Sequence, residues 1–319
     1  MNLNLVEICK DAKRVGIGGH VRPDGDCVGA VLGLYQYLQK SLPQAEVKAF
    51  LEKPAEIFSR LKGYEELDSQ FPEEDPFDVF FVVDCTLDRL GDGEKYFHAA
   101  GRTVNIDHHV SNSGCGDINY IRPEIGATCE LLYDLIGEEN LDQDLAMALY
   151  TGIIHDTGVF QYSNTTPATM EKGAKLIGYG FDFARLIQET FYQKTYLQAQ
   201  IMGRTLMESI RFMDGRCIAS VVDRKVMDFY HAQPKDLDGI VNQLRNIEGI
   251  DCAIFLYQTE VLEYKVSLRS SEKVDVARIA SFFGGGGHVR AAGCTMRGTF
   301  HDCVNNLSLH IERQLKELE

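Results

Sequence analysis

Short, almost uninterrupted apolar runs, separated by stretches with helical spacing, fill the first half of the chain. Val15 to Gly19 reads as a strand and Pro23 and Gly25 as a turn. Val28, Val31, Leu32 and Tyr35 then recur at i, i+3, i+4 and i+7, the apolar stripe of an amphipathic helix. Phe77 to Val83 is nearly all apolar, as in a strand covered on both faces, and Thr103 to Ile106 is a shorter candidate of the same kind. The spacing predicts helices over 142–154 and 166–179 and a long polar-rich helix over 189–211. After Asp214-Gly215 the texture restarts: strand-like Arg216 to Val222, a helical 234–248, strand-like Cys252 to Gln258 and Val261 to Arg269, a helix over 276–283, the run Gly284-Gly285-Gly286-Gly287-His288, and a helical end from His301. The alternation predicts an α/β fold in two domains. The first, over 1–188, is built on a parallel sheet; a helical linker covers 189–212 and a smaller α/β domain 213–319.

Polar residues at the ends of the apolar runs carry the chemistry. Val15 to Gly18 leads into Gly19-His20-Val21-Arg22-Pro23-Asp24-Gly25-Asp26, Asp78 to Val83 into Asp84, Thr103 to Ile106 into Asp107-His108-His109, and Gly152-Ile153-Ile154 into His155-Asp156. Open α/β sheets bind ligands outside the carboxyl ends of their strands, so these residues are expected at strand ends or helix starts around one site. His20, Asp24, Asp26, Asp84, His108 and Asp156 supply two ring nitrogens and four carboxylates, a set suited to hard or borderline divalent ions such as Mn²⁺ or Mg²⁺. Four converging carboxylates repel one another without cations, so two metal ions are expected rather than one. In the second half, Gly284 to Gly287 offer backbone N–H groups unobstructed by Cβ atoms, able to cradle phosphate oxygens, with His288 and Arg290 alongside as donors.

Composition narrows the partners. With 319 residues, 45% of them hydrophobic, the chain can bury two ordinary cores. The net charge of −15, from 32 basic against 47 acidic side chains, disfavours long duplex nucleic acid and leaves a small phosphorylated substrate possible. Nine dispersed cysteines without a Cys-x-x-Cys pair read as reduced packing residues. The amino-terminal residues lack a basic region followed by an apolar stretch, and no apolar run approaches the ~20 residues that span a bilayer, so a cytoplasmic chain without a membrane partner is expected.

His20-x-x-Pro23-Asp24-x-Asp26, Asp84, Asp107-His108-His109 and Asp156-Thr157-Gly158 resemble the four successive motifs of the DHH phosphoesterase superfamily. The stretch from Asp156 to Thr166 and the late Gly284 to His288 are similar to the branch holding oligoribonuclease/pAp-phosphatase enzymes and dinucleotide phosphodiesterases. The resemblance spans nearly the whole chain. It implies that His20 and Asp24 hold a first metal, that Asp26, His108 and Asp156 hold a second, that Asp84 bridges them, and that hydroxide attacks phosphorus. His109 would contact the scissile phosphate or assist the leaving group, and Asp107 would orient a neighbouring imidazole. Gly285, Gly286, Gly287 and His288, with Arg269, Ser270 and Arg290, would grip a terminal phosphate in a DHH-associated C-terminal domain that closes over the cleft. Two positions depart from the family's habit, Ala30 where serine is frequent and His155 where small or polar residues occur; neither removes a ligand.

The implied function is manganese-dependent hydrolysis of short 5′-phosphorylated oligonucleotides such as pApA to mononucleotides, and of pAp to AMP; a homodimer is compatible with it. Rival readings are a cyclic-di-AMP or linear dinucleotide phosphodiesterase, a RecJ-like exonuclease, a pyrophosphatase or exopolyphosphatase, and a nucleotide-binding module without activity. The glycine-rich run speaks against the pyrophosphatases, the length against RecJ, and the full set of six ligands against the last. Phe160, Tyr162 and His288 are candidates for stacking on a base.

Overall fold

Arg14–Gly18 (β1) and Val79–Val83 (β3) form strands because both of their faces are buried. In the computed structural model, which describes residues 3–317, Val79, Phe81 and Val83 pack into a core with the helices on one side of the sheet. Phe80 and Val82 point the other way, into a cluster with Phe50, Phe77, Tyr96 and Phe97. Each such fully buried side chain contributes about 1.5–3 kcal/mol, which is why the run is apolar without alternation.

The chain divides into two compact units between Gln193 and Lys194. In the first, a short helix α1 (Leu5–Ile8) leads to β1, α2 (Gly25–Ser41), β2 (Glu46–Phe50), β3, α3 (Glu94–Ala99), β4 (Thr103–Asp107) and β5 (Ile118–Ile121). Helices α4 (Thr128–Ile136), α5 (Gln143–Asp156), α6 (Pro167–Ile177) and α7 (Phe183–Ile187) come next. The five strands are all parallel, in the order β2-β1-β3-β4-β5. After β1 the chain moves to one side for β2 and then crosses to the other for β3. A crevice therefore opens at the carboxyl ends of β1 and β3, where ligands collect in this topology.

One face of the sheet carries α2, with α5 packed closely on it. Gly29 permits that approach: a Cβ there would stand 2.5 Å from the Ala148 carbonyl oxygen. At Gly152, on α5, a Cβ would clash with Cys129 Sγ and Asp26 Oδ1. The seam between the helices thus brings Asp156, the last residue of α5, to the same end of the sheet as Asp26.

The second unit runs α8 (Tyr196–Met207), β6 (Ile210–Phe212), β7 (Cys217–Val222), α9 (Arg224–Tyr230), α10 (Ile240–Arg245), β8 (Cys252–Glu260), β9 (Glu263–Ser270), α11 (Val276–Phe282), β10 (Gly286–His288), β11 (Ala291–Arg297) and α12 (Phe300–Lys316). Its sheet, ordered β10-β11-β9-β8-β7-β6, is antiparallel except for the β7–β8 pair. Ile254 and Leu256 face α11 and α12, while Ala253 and Phe255 face α8 and α10, so this sheet too is covered on both faces.

Several expected elements are corrected. The single helix over 189–211 is two pieces: residues 188–192 close a π-helical turn, and α8 starts afresh with Thr195 as its N-cap, in a capping box with Gln198. The helix over 234–248 breaks at Gly239, whose φ of 85° is left-handed. Strand β6 takes up the end of the expected 189–211 helix, and strands β2, β5, β10 and β11 and helices α1, α3, α4, α7 and α9 lie where the spacing predicts no element.

Candidate metal centre

His20 stands two residues beyond β1 and is buried. Its backbone N–H donates to Cys27 Sγ (3.2 Å), and its Nδ1 lies 2.9 Å from the Val21 carbonyl oxygen. A carbonyl accepts only, so Nδ1 carries hydrogen and the neutral ring presents a lone pair at Nε2. That atom faces Asp84 Oδ2 at 3.5 Å and Asp24 Oδ1 at 3.6 Å. Asp24 is the N-cap of α2, and its Oδ1 accepts from the N–H groups of Asp26 and Cys27.

His108 repeats the arrangement. Its Nδ1 lies 3.1 Å from the Ile125 carbonyl oxygen, which leaves Nε2 facing Asp156 Oδ2 at 3.0 Å, Asp84 Oδ1 at 3.7 Å and Asp26 Oδ2 at 3.9 Å. Nε2 is buried and makes no hydrogen bond among the described residues. Asp26, itself fully buried, accepts from the Thr128 N–H (2.6 Å) and the Cys129 N–H (2.9 Å) at the start of α4. Asp84 comes directly after β3 with a left-handed φ of 60°, a conformation aspartate tolerates, and its Oδ1 accepts from Thr128 Oγ1 at 2.9 Å.

Three groups able to hold a cation therefore adjoin among the described residues: His20, Cys27 and Asp84; Asp26, His108 and Asp156; and Asp84, Asp107, His108 and His109, which overlaps both. Electrostatics supports the fit. Burial, then the charges of Asp26, Asp24 and Asp156, push Asp84 well above the usual carboxylate range. Burial also raises Asp156 to about 6 against the opposing contact with His108. On the imidazoles burial works against charge, yet Asp24 and Cys27 lift His20 to about 11, and the contact with Asp156 and the charges of Asp26 and Asp84 lift His108 to about 10. The cluster takes up protons where ring nitrogens face carboxylates; a divalent cation meets the same demand with two charges.

Asp107 closes β4, fully buried. Its Oδ1 accepts from the N–H groups of His108 (2.7 Å) and His109 (3.2 Å) and from His109 Nδ1 (2.8 Å). Its Oδ2 accepts from Asn112 Nδ2 (2.5 Å), which also reaches Asn105 Oδ1 at 3.0 Å. These contacts pull the Asp107 carboxyl below its usual range although burial acts the other way. His109 Nδ1 is 3.8 Å from Asp84 Oδ1, so this ring borders the same cluster.

The structure thus brings together all eight residues singled out in the first unit. Five of the six expected ligands lie near the ends of β1, β3 and β4 or at the start of α2; Asp156 instead ends α5, delivered by the α2–α5 seam. Sequence reasoning misses Thr128 and Asn112. An Ala-Thr pair after Gly126 gives no helix signal strong enough to mark α4, and the role of Thr128 is visible only once Asp26 and Asp84 are seen to share it. Thr128→Val keeps the shape and the N–H bond to Asp26 but deletes the hydroxyl on Asp84. The expected outcome is a loss of Mn²⁺ affinity of about tenfold, read by titration calorimetry; unchanged affinity would mean that Asp84 is held without it.

In the second unit the expected phosphate contacts fall in one neighbourhood. Arg269 and Ser270 end β9, which pairs with β11, and β11 pairs with the Gly286–His288 strand. Arg269 Nε donates to Asn242 Oδ1 (3.0 Å), and Arg290 Nη1 to the Val274 carbonyl oxygen (3.0 Å). Ser270 is buried and its hydroxyl donates to that same carbonyl at 2.6 Å, so it lies inside the wall rather than at its surface. The glycine run is a helix stop followed by an edge strand rather than a free loop. Gly284 turns at φ 73° after α11, and a Cβ at Gly285 would clash with the Gly293 carbonyl of β11. Gly286 has open space where a Cβ would be, so its bareness serves no packing need. The side chain of His288 lies outside the described residues. Of the aromatic candidates in the first unit, Phe160 turns inward onto Tyr150, whereas Tyr162 is exposed. His155, given no role, packs against Phe58 and Phe191.

Residues 14–153 match the DHH family, N-terminal domain, and residues 215–317 match the DHHA1 domain. The bifunctional oligoribonuclease and PAP phosphatase NrnA of Thermus thermophilus is 31% identical over 285 residues, 88% of this chain and 84% of that protein. The protein of the same name from Bacillus subtilis is 26% identical over 283 residues, 87% of each. An exopolyphosphatase-related protein from Bacteroides fragilis shares the fold, with a TM-score of 0.89 at 24% identity over 98% of this chain and 96% of that one. With both domain matches in place and a relative this similar along most of its length, the chain belongs to the DHH family, on the branch of the NrnA proteins, and is a metal-dependent phosphoesterase.

Proposed function

We propose that the enzyme hydrolyses short 5′-phosphorylated oligonucleotides such as pApA to mononucleotides and removes the 3′-phosphate of pAp. One observation carries this reading: the two oxygens of Asp84 face different imidazoles, Oδ2 toward His20 and Oδ1 toward His108. A carboxylate shared in this way suits two divalent cations, Mn²⁺ ahead of Mg²⁺, with His20 and Asp24 around one and Asp26, His108 and Asp156 around the other. Cations held there would stabilise the charge that develops on the phosphoryl oxygens and acidify water beside them. The chain supplies the rest. Thr128 fixes the orientation of Asp84, and the Val21 and Ile125 carbonyls fix both imidazoles with Nε2 inward. Asp107 keeps hydrogen on His109 Nδ1, so an imidazolium at this position can give its Nε2 proton to the leaving oxygen and be left as the neutral Nδ1–H ring. Arg269, Arg290, His288 and the bare backbone at Gly286 would receive the terminal phosphate. The names of the NrnA relatives support this substrate class, and the net charge of −15 argues against long polyanions. Nine cysteines, all unpaired, support a cytoplasmic setting, and no helix among the described residues is long and apolar enough to cross a membrane.

The test measures AMP release from 5′-labelled pApA and, separately, from pAp, in Mn²⁺ with and without chelator. Turnover of both, abolished by chelation and restored by added Mn²⁺, is expected. If neither substrate turns over while the protein still binds Mn²⁺, the substrate assignment is wrong.

A further inference from the structure

Beyond Asp156 the chain enters an unusual turn. Gly158, Val159 and Phe160 have φ of 58°, 56° and 64°, three successive residues in the left-handed region, one of them β-branched. Such strain persists only where the surroundings impose it, and it marks sites where a side chain must be aimed. Here the Val159 N–H donates to the Ile154 carbonyl (2.7 Å), the Phe160 N–H to Thr157 Oγ1 (3.1 Å), and the N–H groups of Gln161 and Tyr162 to the Thr157 carbonyl (2.9 Å each). Asn164 Nδ2 ties the far end of the turn back to the Asp156 carbonyl at 3.1 Å.

The turn sorts its side chains. Phe160 goes inward, its ring 6.1 Å from that of Tyr150. Tyr162 folds back onto Gly158, where a Cβ would clash with its ring, and stays 46% exposed. The exposed Gln161 donates Nε2 to the Tyr192 hydroxyl at 3.4 Å, and Tyr192 is 47% exposed. One aromatic ring and a carboxamide thus stand in water on a turn tied to Asp156, with the ring of Tyr192, from the 188–192 turn, beside them. The cluster is charged and suits phosphate; these side chains are neutral, with π-faces and paired donor and acceptor groups, and suit a base.

We infer that Tyr162, with Gln161 and Tyr192, forms a shelf that stacks a nucleobase of the substrate while its phosphate occupies the cluster; this rests on the function proposed above. A stacking contact tolerates any base, so the shelf selects nucleotides over other phosphoesters without selecting sequence.

Equilibrium binding of 2-aminopurine riboside 5′-monophosphate, whose fluorescence falls on stacking, tests the shelf without turnover. Wild type and Tyr162→Phe should quench it, and Tyr162→Ala should raise Kd about tenfold. In steady state, pApA is compared with its two analogues that each lack one base. Tyr162→Ala should raise KM for pApA about tenfold, with a much smaller change in kcat. Most of that rise should vanish on the analogue lacking the stacked base. An equal effect on all three substrates, or quenching that survives Tyr162→Ala, overturns the shelf. Failure of the wild type to turn over any of the three overturns the proposed function instead, and the quenching result then decides on the shelf by itself.

Discussion

Asp84→Asn is expected to lower kcat by about 10³-fold or more while leaving the metal-free protein at least as stable as the wild type. Both halves come from the geometry. Asparagine keeps the oxygen that accepts from Thr128 Oγ1, and it tolerates the left-handed backbone at this position, where alanine would add about 1–2 kcal/mol of strain. What it removes is one buried charge among Asp24, Asp26 and Asp156. Without metal that charge destabilises. A carboxyl raised in the folded state holds its proton after the unfolded chain has released it, so its effect on stability grows more unfavourable as pH rises above about 4. The lifted imidazoles act in the same direction: the stability they lend is complete below about pH 6.5 and disappears as pH rises through about 10 to 11. If cations bind as proposed, the ranking reverses with metal, because the variant lacks the carboxylate whose oxygens face both imidazoles. Calorimetry at pH 7 in chelator, and again after adding Mn²⁺, should show a large rise in Tm for the wild type and little for the variant. A metal-free variant melting well below the wild type, or one retaining most of its kcat, would defeat this account.

The same substitution at Asp107 should have the opposite effect on stability. Every hydrogen-bond partner of that carboxylate among the described residues is a donor: three N–H groups on Oδ1 and the Asn112 amide on Oδ2. An asparagine must aim its own NH₂ at one side or the other, donor against donor. Asn112 cannot turn over to help, because its Oδ1 accepts from the Gly114 N–H and its Nδ2 also serves Asn105. Asp107→Asn should therefore cost about 2 kcal/mol in denaturant unfolding. It should also lower kcat by about 10²-fold, since His109 Nδ1 then meets a neutral amide oxygen or an opposing NH₂ in place of the carboxylate that sets its tautomer. Nitrogen chemical shifts of the His109 ring would report the tautomer directly. A stable variant with an unchanged ring would show that Asp107 merely fills space.

How far the sequence reveals this arrangement depends on the residue. β1, β3 and β4 are legible because burial on both faces leaves an apolar run with a polar residue at its end. β2 and β5 are not: Glu46-Val47-Lys48 and Asn119 carry the polar positions of strands at the sheet's edges, where pairing rather than burial decides. The ligand candidates can be picked out because chemistry needs particular side chains. Their supports stay hidden because support is a relation: nothing in Thr128 or Asn112 announces the carboxylates they serve. The glycine run reads as a free cradle, since sequence cannot separate a bare backbone kept for a ligand from one kept for a neighbouring strand; Gly285 is of the second kind and Gly286 has no such neighbour.

The α2–α5 seam has a consequence for mutational tolerance. Gly29 and Gly152 bear no functional group, yet the distance between the helices that carry Asp26 and Asp156 is set by the absence of a side chain at these two points. A methyl group there changes no carboxylate and no charge; it parts the two aspartates of the candidate metal centre. In a saturation scan scored for activity, these two glycines should be as intolerant as the aspartates themselves, and an outline of the catalytic centre drawn from such a scan would include two positions at which no chemistry occurs.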